Sequence, residues 1–193
     1  MLERLIELIL KKSFRYSDKP VFKLVSGRTS NYYIDCKPTT LDPEGKYLIG
    51  NIIFNKICDI EIDAIGGLSI GADPIADAVS LISYIKEKPI KAFYVREKTK
   101  DHGIIKKIEG DVHKGERVII LEDVVTTGSS TIKAINRARE EGLEIVKVLA
   151  LVDREEGGKE KILEHAKHFE CILTRTRLME AYNARHAKKH AAS

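Results

Sequence analysis

The sequence predicts an α/β protein: a mostly parallel central sheet flanked by helices, with a small N-terminal hood. Three observations predict it. From residue 42 onward, apolar runs of strand length alternate with helix-length segments, the pattern of a parallel sheet built from strand–helix units. Val118–Leu121 is a run of four consecutive apolar residues, which suits a parallel strand covered on both faces. The glycine-, hydroxyl- or charge-rich loops 66–74, 96–103, 122–130 and 153–158 each follow a strand, so they would converge on the carboxyl edge of the sheet, where such sheets bind ligands.

Taken in order, the first ten residues place Leu2, Leu5, Ile6 and Ile9 on one face of an amphipathic helix. Residues 21–36 read as extended and turn structure around Ser26-Gly27-Arg28. A helix starts at Asp42-Pro43, an acceptable cap followed by proline at the first helical position, and continues through Ile49, Ile52, Ile53 and Ile57. Asp63–Gly66 is a short strand entering a glycine turn, Pro74–Lys86 a helix, and Ile90–Val95 a strand. Residues 96–115 form a long charged loop with room for a short hairpin. Arg117–Leu121 is a strand, Ser129–Glu141 a helix stopped by Gly142, and Glu144–Val152 a strand. Lys159–Lys167, Glu170–Leu173 and Arg177–Lys188 close the chain as helix, strand and helix, and the tail from Ala184 is expected to fray.

The 193 residues suit a single domain, with the hood at approximately 1–40 and the core at approximately 41–175. The net charge of +4 comes from interspersed signs and argues against a nucleic-acid partner. Glu3, Arg4 and Glu7 break the apolar start, so it does not read as a signal peptide, and no run approaches a membrane span. Cys36, Cys58 and Cys171 are far apart and odd in number, which reads as free thiols of a cytoplasmic protein.

The strongest motif is the segment Val118–Thr131: an apolar strand, the adjacent acids Glu122 and Asp123, then Val124, Val125 and the turn Thr126-Thr127-Gly128-Ser129-Ser130 opening a helix. A helix N-terminus rich in hydroxyls and glycine is a seat for phosphate. The paired acids repel phosphate and suit vicinal hydroxyls, or a magnesium ion near them. A ligand with a phosphate at one end and a diol at the other is a ribose 5-phosphate. A second loop, Gly66–Pro74, puts Ile70, Gly71 and Ala72 after a strand; by itself this reads as a tight turn. The third segment concentrates Arg96, Lys98, Lys100 and His102 in one loop, a supply of positive charge for a departing anion. The fourth, Phe22–Pro38, is a glycine turn with an aromatic strand, where Tyr33 and Ile34 could face a planar ring.

The first motif resembles the phosphoribosyl pyrophosphate (PRPP) site of type I phosphoribosyltransferases. With the patterns SGR-x-S-x-Y-Y-x-D and K-x-H-G and the run Val152–Gly158, residues 20 to 158 resemble the orotate phosphoribosyltransferases. That resemblance implies the type I phosphoribosyltransferase fold, transfer of ribose 5-phosphate from PRPP to orotate in pyrimidine biosynthesis, and a cytoplasmic, Mg2+-dependent homodimer sharing the 96–110 loop across its interface. It implies PRPP binding by Arg96, Lys98, Lys100, His102 and Glu122–Ser130, with Ile70, Gly71 and Ala72 on the pyrophosphate. It implies orotate contacts from Tyr33, Ile34, Thr126 and Arg154, catalytic roles for Lys100, His102 and Asp123, and magnesium held through substrate beside Glu122 and Asp123. Two positions depart from the family pattern: Val25 and Glu97 stand where many relatives carry lysine, and Lys37 or Lys98 is placed to compensate. The rival readings are a phosphoribosyltransferase for a purine and a PRPP-sensing regulator without catalysis.

Overall fold

The computed structural model describes residues 1–23, 29–97 and 107–191. Helix α1 (Leu2–Lys12) buries Leu5, Ile6, Leu8 and Ile9. Leu2, expected on that face, is exposed beyond the packed turns, and Leu8 takes part instead. Four short strands follow: β1 (Phe14–Tyr16), β2 (Phe22–Lys23), β3 (Thr29–Ser30) and β4 (Tyr32–Ile34). β1 pairs with β4 and β2 with β3, both antiparallel, forming two small ribbons apart from the main sheet. The sequence reading missed β1, because three residues directly after a helix are too few to show alternation.

A single turn, α2 (Lys37–Thr40), leads into α3 (Pro43–Ile57). The predicted start of α3 holds: the Asp42 carboxylate accepts from the N–H groups of Glu44 and Gly45, at 3.0 and 3.1 Å. Then come β5 (Ala64–Leu68), α4 (Asp73–Ile85), β6 (Lys91–Val95), β7 (Ile108–Glu109), β8 (Arg117–Val125), α5 (Ser129–Glu140), β9 (Glu144–Asp153), α6 (Gly158–Leu163), β10 (Phe169–Thr174) and α7 (Arg175–Ala191). β7 is the short hairpin partner foreseen in the charged loop, antiparallel to β6. Helix α6 stops earlier than the sequence suggested, and α7 continues as helix to Ala191, into the tail expected to fray.

The six-stranded sheet has the order β10-β9-β8-β5-β6-β7, parallel except at β7. Both faces of β8 are covered, as its apolar run requires. Ile119 and Leu121 face a core shared with α1, α3 and α4, whereas Val118 and Ile120 face one shared with α5 and α6. From β5 the chain moves outward to β6 on one side; from β8 it moves outward to β9 on the other. Right-handed crossovers in opposite directions put α4 and α5 on opposite faces. The loops leaving β5 and β8 therefore part from each other and open a crevice at the carboxyl edge between the two central strands.

Candidate active site

β8 runs four residues past the apolar stretch, so Glu122 and Asp123 belong to the strand and not to the turn after it. Both are buried, and strand alternation sends them to different faces. Glu122 points to α5, where its Oε2 accepts from the Thr131 hydroxyl at 2.9 Å. Asp123 points to the other face: its Oδ1 accepts from the Val124 N–H at 2.9 Å, and its Oδ2 lies 3.6 Å from Lys37 Nζ. Lys37 Nζ also sits 3.4 Å from Asp35. Burial works against the Lys37 charge, but Asp123 and Asp35 together hold the ammonium above its ordinary value.

Burial, and after it the charge of Asp123, pushes the Glu122 carboxyl up to about 8 from an ordinary 4.5. The folded protein then keeps a proton that the unfolded chain gives up, so the native state binds more protons between those values. This group's contribution to stability is complete below 4.5 and is lost as the pH rises through 8. Replacing Glu122 with Gln should remove that slope. Melting temperatures taken free of ligand and metal, from about pH 5 to about pH 9, should fall more for the native protein than for the variant; parallel curves would contradict the assignment.

The loop after β5 meets Asp123 directly. A Cβ on Gly71 would lie 2.5 Å from Asp123 Oδ1, so only glycine lets this backbone touch the carboxylate. Around it, the Ser69 N–H donates to the Val95 carbonyl at 2.9 Å, and the Ser69 hydroxyl donates to Asp73 at 3.0 Å. The Ser69–Ile70 peptide is cis. Ile70 is exposed and Ala72 is buried.

Beyond β8 the hydroxyl-rich turn leads into α5. Gly128 adopts a left-handed φ of 80°, and a side chain there would meet the Gly158 carbonyl at 2.9 Å. Thr126 is half-buried, while Thr127, Ser129 and Ser130 are exposed at the helix N-terminus. The Thr127 and Ser129 hydroxyls lie 3.0 Å apart. Hydroxyls grouped at the positive end of a helix suit a phosphate.

Arg154 approaches from β9. Its N–H donates to the Val125 carbonyl at 2.9 Å, which ties it to the same turn. Its guanidinium is buried, with Cζ 5.4 Å from the centroid of the Tyr32 ring and Nη2 2.7 Å from Glu156 Oε1. Sequence reasoning singled out the next two residues of β4, Tyr33 and Ile34. Tyr33 is half-exposed and stacks on Phe22, at 6.1 Å between centroids, whereas the Ile34 side chain packs into the core. Tyr32, Glu156 and Arg175 were missed. Tyr32 and Glu156 are 124 residues apart, and no local pattern links them.

Of the basic loop, Arg96 directly follows β6, and its guanidinium pairs with Glu109 of β7, with Nε at 2.6 Å from Oε1. The Glu97 carbonyl accepts from Arg137 Nη2 at 3.0 Å. Val25, Lys98, Lys100 and His102 lie outside the described residues. The structure thus brings together Lys37, Gly71, Glu122, Asp123, the turn Thr126–Ser130 and Arg154. Arg96 stands at the carboxyl end of β6, next to β5.

Known proteins resemble this chain in sequence and in fold. The phosphoribosyl transferase domain family matches residues 42–176. An orotate phosphoribosyltransferase of Aquifex aeolicus (strain VF5) is 53% identical over 160 residues, 83% of this chain and 87% of that one. Among solved structures, the orotate phosphoribosyltransferase of Mycobacterium tuberculosis H37Rv in complex with Fe(III) dicitrate superposes with a TM-score of 0.78 at 34% identity, covering 92% of this chain and 98% of that one. A second structure of that protein, in complex with PRPP, has a TM-score of 0.73 at 30% identity, covering 92% and 90%.

Proposed function

Since the chain belongs to the orotate phosphoribosyltransferase family, we propose that it transfers the ribose 5-phosphate of PRPP to orotate, releasing pyrophosphate and orotidine 5′-monophosphate for pyrimidine biosynthesis. One observation supports this reading above the others. At the crevice between β5 and β8, a glycine loop lies against a buried carboxylate, a hydroxyl-rich helix start lies beside it, and a buried arginine hangs from the same turn.

Each part has a task in such a transfer. Thr126–Ser130 hold the 5-phosphate, with Val124 and Val125 contributing backbone. Glu122 and Asp123 accept from the ribose hydroxyls, and Asp123 also faces the Ile70–Ala72 loop that cradles the pyrophosphate. Bond breaking at the anomeric carbon runs ahead of bond making, so the demand is for electrostatics and positioning, not for a nucleophile. Arg96, Lys98, Lys100 and His102 meet the charge that grows on the departing pyrophosphate. Lys37, paired with Asp123, supplies a cation to this end of the site, which offsets the lysine that Val25 replaces in the sequence pattern. Arg154 takes the ring carboxylate of orotate, with Thr126, Tyr33 and the backbone of Ile34 around the ring.

Magnesium fits as a guest of the substrate. Among the described residues no three His, Cys, Asp or Glu side chains gather as metal ligands. Of the two acids, Asp123, which faces the Gly71 loop, is the hard oxygen donor that would complete a shell supplied mainly by PRPP and water. When bound, Mg2+ neutralises pyrophosphate charge.

We place the enzyme in the cytoplasm; among the described residues no helix is long and apolar enough to cross a membrane. We further propose a homodimer that shares the 96–110 loop. Tyr47 on α3 and Leu81, Tyr84 and Ile85 on α4 leave 57–75% of their surface exposed, an apolar strip that suits burial against a second copy. Sedimentation should show a dimer that Leu81→Glu converts to monomer; a monomeric native protein would contradict this.

Assaying purified protein with PRPP, Mg2+ and separate bases tests the activity itself. Orotate should be consumed, while adenine, guanine, xanthine and uracil should not. Turnover of a purine in place of orotate would overturn the assignment, and PRPP binding without product would mark a regulator.

A further inference from the structure

We propose that Glu156 is a specificity-determining residue: it holds the edge of Arg154 that an anionic base must take, so that base binding is an exchange of carboxylates. This rests on the reading of Arg154 as the partner of the ring carboxylate. The Arg154 guanidinium is buried, with 7% exposure. Its Nη2 lies 2.7 Å from Glu156 Oε1, an ion pair by distance, yet the angles miss hydrogen-bonding geometry. Among the described residues neither Nε nor Nη2 has a hydrogen-bond partner. Nε and Nη2 form one edge of a guanidinium, the edge that receives a carboxylate on both oxygens. A buried edge of this kind, half-used by a badly angled carboxylate, is suited to a better-shaped one.

Glu156 also has somewhere to go. Its Oε1 accepts from the Tyr32 hydroxyl at 2.8 Å, and that hydroxyl in turn accepts from Arg175 Nη1 at 3.2 Å. Arg175 Cζ lies 5.5 Å from the centroid of the Tyr32 ring, against 5.4 Å for Arg154 Cζ, so the ring is flanked by two cations. A carboxylate arriving at Arg154 leaves Glu156 with the tyrosine hydroxyl and with Arg175, and its charge stays compensated. A neutral base has nothing with which to displace Glu156. The residue therefore competes only with a base that takes the Arg154 edge and leaves the affinity for a neutral base untouched, so it sets the size of the difference between the two.

Glu156→Gln keeps the hydrogen bond to Tyr32 and removes the charge. The KM for orotate should fall roughly three- to ten-fold, the range spanned by a half-screened ion pair. The KM for PRPP should not follow, and neither should inhibition by uracil, which lacks the ring carboxylate. Glu156→Asp, which keeps the charge, should stay nearer the native KM. An orotate KM that is unchanged or raised in Glu156→Gln, or a parallel shift for uracil, would overturn the proposal while leaving the orotate reading standing. A native protein that does not use orotate would overturn both.

Discussion

Arg154→Ala is expected to lower kcat/KM for orotate by roughly 100- to 1,000-fold, the loss typical of a site built to pair a charged substrate group and then deprived of its partner. The reasoning starts from burial. The guanidinium is nearly enclosed, stacks on Tyr32 and keeps unspent N–H groups on one edge. A buried cation in that condition is stabilised by the anion it meets, and the anion loses most when the cation is removed. The fold should tolerate the change, since the residue is anchored by its backbone N–H to Val125 and that bond survives in alanine. Steady-state kinetics with each substrate varied will check this. The KM for PRPP should move little, because the turn after β8 and the Gly71 loop are left in place. A variant that uses orotate as well as the native protein would remove Arg154 from the base site.

Lys100→Ala is expected to reduce kcat by roughly 100-fold or more, because a cation placed against developing charge acts mainly in the transition state. Circular dichroism should be unchanged, since none of the helices and strands described above contains Lys100. The proposed dimer makes a sharper test available. If the loop acts across the interface, a Lys100→Ala protomer has an intact base site, and an Arg154→Ala protomer has an intact loop. Mixed after dissociation and reassociation, the two inactive variants should recover about a quarter of native activity, since half the dimers are mixed and one site in two is whole. No recovery would mean that each protomer uses its own loop, or that the protein does not pair.

Much of the scaffold was legible because its signals are local. Asp42-Pro43 announces α3 through the chemistry of four residues, and the apolar run at Val118 announces a central strand through burial on both faces. The end of β8 was not legible for a related reason. Adjacent acids are costly inside a strand, so the sequence alone puts them in a turn. What pays for their burial comes from elsewhere: Thr131 on α5, Lys37 at α2 and the backbone at Gly71. The proposed sugar-phosphate half of the site rests on consecutive residues. The proposed base half draws on residues that no local pattern links, since Tyr32, Arg154, Glu156 and Arg175 meet only through tertiary structure. Alternation along β4 says that neighbours point apart, but not which of them faces Arg154.

The two halves of the site stand on supports of unequal strength. Glu122, Asp123 and the Gly71 loop belong to β5 and β8, which lie inside the sheet with partners on both edges. Tyr32 and Tyr33 belong to a ribbon of three paired residues outside that sheet. Substitutions in the ribbon should retune the proposed base pocket at little cost to the rest of the molecule, whereas the proposed sugar-phosphate seat cannot change without disturbing the centre of the domain. On the proposed assignment, choice of base is the adaptable trait and use of the activated sugar is the inherited one.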